Sequence, residues 1–117
     1  GAAAVHMYAS GVGASLKMNT NYTVSAAAPY HMIANSLSNI SCNNRTVTFS
    51  GTQAYTTFAL SQYLANLVSY GCTFTGGTLT GKRHSSDANS LIFTNGGGVN
   101  YFPGNAAGTT SNGGQYL

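Results

Sequence analysis

The chain has 117 residues, of which 4% are charged and 43% are hydrophobic, and its formal net charge at pH 7 is +3. This length suits one domain or part of a longer protein, and so much apolar content with so little charge argues against intrinsic disorder. The four cations are scattered and no apolar run reaches about 18 residues, so we expect neither a nucleic-acid interface nor a membrane span.

Three consecutive segments, residues 6–30, 31–55 and 56–80, align without a gap at a period of 25 residues. A fixed period of about 20–50 residues is typical of solenoid proteins. Each copy places an aromatic or β-branched residue between two hydroxyl residues, followed by a small turn residue, which indicates a short strand. The sequence therefore predicts an all-β fold, a right-handed parallel β-helix of about three coils over residues 1–80, in which neighbouring coils complete each other's core.

Matching positions in the three copies predict which side chains stack. We expect two inward stacks, a column of small corner residues and an outward ladder of hydroxyls. The members are Tyr8–Ile33–Phe58 and Val24–Phe49–Phe74 inward, Ala9–Ala34–Ala59 at the corner, and Thr23/Ser25, Thr48/Ser50 and Thr73/Thr75 outward. Such a ladder resembles the ice-contacting face of β-solenoid antifreeze proteins, so an ice-binding or adhesin solenoid is one alternative function.

The third copy also allows a helical interpretation. Leu60, Leu64 and Leu67 recur at roughly helical spacing, and Gly71 is placed to end a helix. A helix over residues 58–70 would make the fold α+β rather than a solenoid. The two earlier copies have no helical pattern in this register, so we prefer the strand.

Two residue pairs are candidates for chemistry inside the repeat. His6 and His31 share a repeat position, and we expect them to stack as partly exposed imidazoles on adjacent coils. No third ligand repeats with them, so we predict no metal site and no cofactor. Cys42 and Cys72 lack metal-ligand spacing. They either form a disulfide in an oxidising compartment or remain buried thiols, and we prefer the thiols.

After residue 80 the period ends. Residues 81–117 hold one predicted strand at 90–94, a Gly-rich stretch and an aromatic pair, and we expect a C-terminal β cap and oligomerisation region. Asp87 is the only acid of the chain, whereas hydrolysis by a carboxylate pair needs two acids about 5–10 Å apart. Ser85 and Ser86 lie beside His84 and Asp87 in the sequence, whereas the members of a catalytic triad normally come from distant parts of the chain. We therefore expect no catalytic residue.

The segment from residue 73 to residue 117 carries a series of short motifs. They are Thr73-Phe74-Thr75-Gly76, Gly81-Lys82-Arg83, Asn89-Ser90 before a short strand, Tyr101-Phe102-Pro103-Gly104-Asn105, Ala107-Gly108 and Gly113-Gly114-Gln115-Tyr116. In these motifs the chain resembles the C-terminal ends of phage and prophage tail fibre and tailspike proteins of the β-helical, pectate-lyase-like group. One departure is His84, where an aromatic residue, usually Tyr, is expected after the arginine.

The resemblance implies a homotrimer at the tip of a virion appendage, assembled in the cytoplasm of the bacterial host, that recognises a bacterial surface polysaccharide. Aromatic rings stack on sugars and amides bond their hydroxyls, and such surfaces cost little entropy to order. Our carbohydrate-binding candidates are Arg83, Asn100, Tyr101 and Tyr116, for which trimer packing is an open second role. Our candidates for oligomer contacts are Phe93, Phe102 and Pro103. A fragment of a polysaccharide depolymerase or lyase, with its active site elsewhere, is a further alternative.

Overall fold

The computed structural model describes residues 4–117, and these contain β-strands and no helix. The strands pair in parallel as a β-solenoid of about four turns, which confirms the predicted all-β solenoid and corrects its size from three coils. The strands are β1 (Val5–Ser10), β2 (Ser15–Met18), β3 (Tyr22–Val24), β4 (Tyr30–Asn35), β5 (Asn39–Cys42), β6 (Thr46–Phe49), β7 (Thr52–Gln62), β8 (Asn66–Val68), β9 (Thr73–Thr75), β10 (Thr78–Ser86), β11 (Leu91–Phe93), β12 (Thr109–Thr110) and β13 (Gln115–Tyr116).

The strands form three sheets along the solenoid. The first has the order β1-β4-β7-β10-β12, the second β2-β5-β8-β11-β13, and the third β3-β6-β9. Each strand pairs with its counterparts in the adjacent turns, so a turn buries its apolar side chains only against its neighbours. This is why a chain with this fold needs a repeat.

The register between the first two turns is the predicted one, since Tyr8 pairs with Ile33. The next turn is displaced by two residues, because Ile33 pairs with Leu60 rather than with Phe58. The stretch over residues 50–56 is two residues longer than its counterpart in the first turn and absorbs the difference. The gapless third copy is therefore wrong, and so are the third members of every predicted column.

Alternation along the first sheet has the opposite phase from the predicted one. Tyr8 is 51% exposed and Ile33 is partly exposed, so this column faces outward and not inward. Met7 and Met32, one position earlier, are buried instead, and Ala34 is buried as expected. Because side chains alternate between the two faces of a strand, an error of one position exchanges inside and outside.

The core consists of two inward columns with aromatic rings between them. The columns are Met7–Met32–Ala59–His84 in the first sheet and Leu16–Ile40–Leu67–Ile92–Tyr116 in the second. Val24 and Phe49 are buried as predicted. Phe58 is fully buried at the centre, with ring centroids 5.4 Å from Phe74 and 5.9 Å from Phe102. Rings of this size supply most of the apolar area that such a small core can bury.

Residues 58–70 form no helix, so the α+β alternative is wrong for the described chain. Between the end of β7 and the start of β8, Tyr63 and Leu64 have positive φ angles of 55° and 61°. Two successive left-handed residues turn the chain sharply from the first sheet to the second. The same corner recurs in adjacent turns at Ser36-Leu37 and Ala88-Asn89. Within residues 4–117 no helix is long and apolar enough to cross a membrane.

Residues 81–117 continue the solenoid. The predicted boundary after residue 80 falls inside β10, and β11 lies within the predicted strand 90–94. β12 and β13 pair with β10 and β11. We call this end of the solenoid, from β10 to β13, the last turn. The third sheet ends at β9, where the rings of Tyr101 and Phe102 lie 5.7 and 5.9 Å from the ring of Phe74. A loop with two aromatic rings thus covers the position of a fourth strand.

Candidate functional site

Three of the four carbohydrate candidates meet at the last turn. Arg83 Nη1 donates a hydrogen bond of 2.9 Å to the carbonyl oxygen of Phe102, and the Tyr116 hydroxyl donates one of 2.7 Å to the carbonyl oxygen of Gly98. Tyr101 packs edge-on against Phe102, with ring centroids 4.9 Å apart. The structure therefore gathers these three side chains around Phe102.

These contacts leave a small polar surface for a ligand. The Tyr101 hydroxyl accepts a 3.1 Å hydrogen bond from the backbone N–H of Cys72 and lies 3.3 Å from the hydroxyl of Ser69, and burial raises the pKa of Tyr101 to about 12. Asn100 is exposed and Tyr116 is partly exposed. The Asn100 amide and part of Tyr116 thus remain accessible to solvent, while Tyr101 holds the loop in place.

The three candidates for oligomer contacts differ in exposure. Phe102 is fully buried among rings of its own chain, so in this conformation it has no surface to offer a second copy. Phe93 is partly exposed and lies edge-on to Tyr70, with ring centroids 6.5 Å apart, and Pro103 is also partly exposed. Oligomer contacts at Phe93 and Pro103 stay a prediction.

His84 fills the aromatic position of the last turn. Its ring is parallel to that of Tyr116, with centroids 3.6 Å apart, and the backbone of Gly108 lies directly against it. Nδ1 is buried without a hydrogen-bond partner. Burial, followed by the positive charges of Arg83 and Lys82, lowers the pKa of His84 to about 4. At neutral pH the imidazole of His84 is therefore uncharged and packs in the core as an aromatic ring.

Asp87 is held at the corner of the last turn. Its Oδ1 accepts hydrogen bonds of 3.0 Å from the Ser111 hydroxyl and 2.8 Å from the Asn112 amide. These bonds lower the pKa of Asp87. His84 is buried in the core while Asp87 is partly exposed at the corner, so the fold directs these sequence neighbours to different surroundings.

A line of polar side chains enters the core from the first turn. His6 Nε2 lies 2.8 Å from the carbonyl oxygen of Ala26, His6 Nδ1 lies 2.9 Å from His31 Nδ1, and His31 Nε2 lies 2.8 Å from the Tyr22 hydroxyl. Because the Ala26 carbonyl only accepts, His6 carries its proton on Nε2. Two neutral imidazoles then require His31 to donate from Nδ1 and to accept the Tyr22 proton at Nε2.

The environment of His31 differs from the predicted one. His6 and His31 meet on adjacent turns as predicted, and His6 is partly exposed. His31 is 0% exposed and the two rings meet at 70°, so the expectation that both imidazoles are partly exposed and stacked in parallel is wrong. Instead His31 stacks on Phe58, with centroids 4.6 Å apart. Burial, with a smaller effect of His6, lowers the pKa of His31 to about 3. Across residues 4–117, no three metal-ligating side chains form a cluster.

The polar line continues to both cysteines. The Tyr22 hydroxyl lies 4.0 Å from Cys42 Sγ, which lies 3.8 Å from Cys72 Sγ. Both cysteines are free thiols, Cys42 buried and Cys72 partly exposed. The hydroxyl of Ser69 donates to Cys72 Sγ over 3.8 Å. No sequence signal places these residues together, since their separation of 30 residues differs from the repeat period.

A cavity of about 400 Å³ opens beside His6 at the first turn, lined in part by Met7, Met18 and Val24. β1, β2 and β3 are edge strands of their sheets. Inward side chains of the first turn therefore line an open end, and such edges are available for pairing with a further strand.

The outer face of the third sheet carries two columns of exposed polar side chains. They are Thr23–Thr48–Thr75 and Asn21–Thr46–Thr73. The hydroxyl ladder predicted from the sequence is therefore real but differently composed, because Ser25 and Ser50 lie beyond the strands. Asn21 and Thr46 take the place of these serines, and the corrected register exchanges Thr73 and Thr75 between the two columns.

One corner of the solenoid and the adjoining outer face of the first sheet carry exposed or partly exposed apolar side chains in each of the first three turns, and the polar column Ser10–Asn35–Gln62 lies between the two groups. We call this feature the apolar ridge. Its members are Tyr8, Val12, Ile33, Leu37, Leu60, Tyr63 and Leu64. Leu37 and Leu64 stack on successive turns with exposures of 48% and 56%, since the N–H of Leu37 donates to the carbonyl oxygen of Tyr63. No charged residue belongs to the ridge.

Comparison with protein-family models, with curated proteins and with solved structures finds no match to this chain.

Proposed function

We propose that this chain is the C-terminal structural, trimerisation and host-receptor recognition part of a β-helical phage tailspike or tail fibre, acting without catalysis. The motifs of residues 73–117 support the origin, and the parallel β-solenoid suits it. The apolar ridge is the observation that carries the proposal. The proposal includes right-handed winding of the solenoid, since connections between parallel strands are right-handed in nearly all cases. It also includes a capping role for residues 81–117.

The ridge has the properties of a contact between identical chains. Contiguous exposed apolar patches mark interaction sites, and interface cores are enriched in aromatic residues and depleted of charged ones. The five charged residues of the chain all lie outside the ridge. Three copies packed side by side along a common axis on this feature would remove Tyr8, Tyr63 and Leu64 from water.

Under this proposal the chain resides in the virion and is assembled in the cytoplasm of the bacterial host. Its second partner is a bacterial surface polysaccharide, and any depolymerase activity belongs to other parts of the parent protein. The polar surface at Asn100 and Tyr116 lies at the end of the solenoid remote from the open first turn. This position leaves it accessible when the ridge is covered.

The assembly is tested by light scattering on the purified chain. We expect a species of three times 12.0 kDa and a monomer for the double variant Leu37→Asn, Leu64→Asn. Asn adopts positive φ more readily than Leu, so this variant should keep or gain monomer stability. Val99→Asn, at a 72% exposed site outside the ridge, is the matched control. A monomeric wild type, or a ridge variant that remains trimeric, would contradict the proposal.

Glycan recognition is tested separately on an array of bacterial surface polysaccharides. We expect Asn100→Ala to weaken binding about tenfold, as the loss of one hydrogen bond to a sugar hydroxyl predicts. Ser25→Ala, on a different face, should leave binding unchanged. Equal binding by both variants would remove Asn100 from the site, and a trimer that binds no polysaccharide would refute the receptor role.

The threonine face supports a second candidate function, ice binding. In a parallel sheet the hydroxyls repeat about every 4.8 Å across the strands and about every 6.6 Å along them, which is the regular flat array that such a face requires. We expect thermal hysteresis in the wild type and its loss in Thr48→Tyr, with Thr109→Tyr as the control. Absence of hysteresis in the concentrated wild type would eliminate this candidate.

A further inference from the structure

The two cysteines are the strongest chemical feature that the proposed function leaves unused. Cys42 ends β5, and Cys72 lies one residue before β9 in the following turn. Their sulfur atoms are 3.8 Å apart, and the thiol of Cys72 donates to the carbonyl oxygen of Cys42 over 3.0 Å. Cys72 is partly exposed while Cys42 is buried. One thiol of the pair is therefore reachable from solvent, and the other is within reach of the first.

The Cys72 thiol donates to the Cys42 carbonyl oxygen, and once that proton is lost the neighbouring donors stabilise the thiolate. The hydroxyl of Ser69 donates to the sulfur of Cys72. The hydrogen bond between the two thiols, together with these neighbours, lowers the pKa of Cys72, whereas the pKa of Cys42 is raised. Arg45 has a buried Nε without a hydrogen-bond partner, and its charge acts on the Cys42 thiol. A solvent-reachable, acidic thiol beside a buried second thiol is the arrangement found where cysteines attack and resolve disulfides.

We propose that Cys42 and Cys72 form a thiol–disulfide exchange site, which a low-molecular-weight disulfide such as glutathione disulfide converts into a disulfide between successive turns. This inference does not depend on the proposed function.

The exchange proceeds in two balanced steps. The Cys72 thiolate attacks one sulfur of glutathione disulfide, whose S–S bond breaks and releases one glutathione thiolate, which takes a proton from water. The Cys42 sulfur then attacks the sulfur of Cys72 in the mixed disulfide, the bond between Cys72 and glutathione breaks, and the expelled glutathione thiolate takes up the proton that Cys42 loses. The two protein thiols are oxidised and one glutathione disulfide is reduced to two glutathiones. The sulfurs must approach from 3.8 Å to the bonding distance of about 2.05 Å.

The product would join the second turn to the third through a covalent link. The link spans the two-residue insertion, where the repeat loses its period. Oxidation would therefore hold the turns in register at the point where the sequence specifies it least.

The test is thiol trapping and intact mass on the full chain. The purified protein is equilibrated with glutathione disulfide, denatured and alkylated with N-ethylmaleimide. We expect wild-type protein to lose two hydrogens and to take up no alkylating groups, whereas the reduced control takes up two. Cys42→Ser should instead accumulate a glutathione adduct on Cys72, because the resolving thiol is absent. Cys72→Ser should acquire no adduct while folded.

Two further measurements separate the exchange site from accidental oxidation. In the folded chain Cys72 should react with a small disulfide reagent at least about tenfold faster than Cys42, and Arg45→Gln should change the rate of the resolving step but not the fold. Wild-type protein that keeps both thiols in excess glutathione disulfide would overturn the proposal. So would disulfides found only between chains, or equal adduct formation on the two single variants.

Discussion

The buried imidazole of His31 makes the stability of the solenoid dependent on pH. Its pKa is about 3 in the folded chain and 6.5 in the unfolded chain. The unfolded state therefore binds more protons between these values, so stability from His31 is complete above pH 6.5 and declines as the pH falls towards 3. One proton contributes about 1.4 kcal/mol per pH unit, which predicts a loss of about 2 kcal/mol between pH 8 and pH 5. The full effect below pH 3 is about 5 kcal/mol.

The assay is urea unfolding at pH 8, 6.5 and 5. His84 also has a lowered pKa, of about 4, and contributes with the same sign. The lowered pKa of Cys72 also acts with this sign. The double variant His84→Phe, Cys72→Ser removes both contributions, so the remaining pH dependence in this background belongs chiefly to His31. A further substitution, His31→Phe, should flatten the curve whatever it does to stability at pH 8. The slope and not the absolute free energy of unfolding is the readout, so loss of the Tyr22 hydrogen bond does not confuse the result.

Two results would refute this reasoning. One is a loss of less than about 0.5 kcal/mol between pH 8 and pH 5 in the double variant His84→Phe, Cys72→Ser, where the calculation above gives about 2. The other is a nitrogen NMR titration of the folded chain in which His31 gains its proton near pH 6.5. The same spectra identify the tautomer, and a proton on His31 Nε2 would contradict the hydrogen-bond direction deduced from the Ala26 carbonyl.

Three further outcomes follow from the packing. Gly108→Ala should lower the free energy of unfolding by about 1–3 kcal/mol in urea titrations, since its Cβ would collide with the His84 ring. Phe58→Ala should lower the free energy of unfolding by about 3–5 kcal/mol, because it empties the centre of the core. Tyr63→Ala, at a 55% exposed site, should change the free energy of unfolding of the monomer by less than about 0.5 kcal/mol. Similar values for both variants would contradict the assigned core. The free energy of unfolding should be about 3–4 kcal/mol higher for the chain with the Cys42–Cys72 disulfide than for the reduced chain, because the disulfide closes a loop with a sequence separation of 30 in the unfolded state. Equal stability would show that strain in the folded state cancels this gain.

The general architecture could be predicted from the sequence because it depends on properties that add along the chain. The 25-residue period, the alternation of apolar and hydroxyl residues and the scarcity of charge together indicate stacked parallel strands. The strand at 91–93 could be predicted for the same reason. The positive φ angles at Tyr63 and Leu64 could not be predicted, since neither residue favours the left-handed region. Without that corner, the spacing of Leu60, Leu64 and Leu67 resembles that of a helix.

The candidate sites were less predictable because they arise between turns. Gly-rich texture and aromatic content pointed to the last turn, where Arg83, Tyr101 and Tyr116 do converge. The contact between His6 and His31 follows the 25-residue period and was predicted. The Tyr22–His31 contact and the cysteine pair depend on other separations, and the threonine face depends on a register that two inserted residues change. Nothing in a single copy of the repeat specifies such contacts.

By itself the sequence determined that this chain would form a β-solenoid, because no turn can bury its apolar residues alone and a period near 25 residues supplies equivalent neighbours. Only the tertiary structure decided which neighbour each residue meets. Strand faces alternate every residue, so an insertion of two residues or an error of one position in phase transfers side chains to new partners or to the opposite face without altering the overall pattern. The exposed apolar ridge, the buried His31 and the adjacent thiols are consequences of that register.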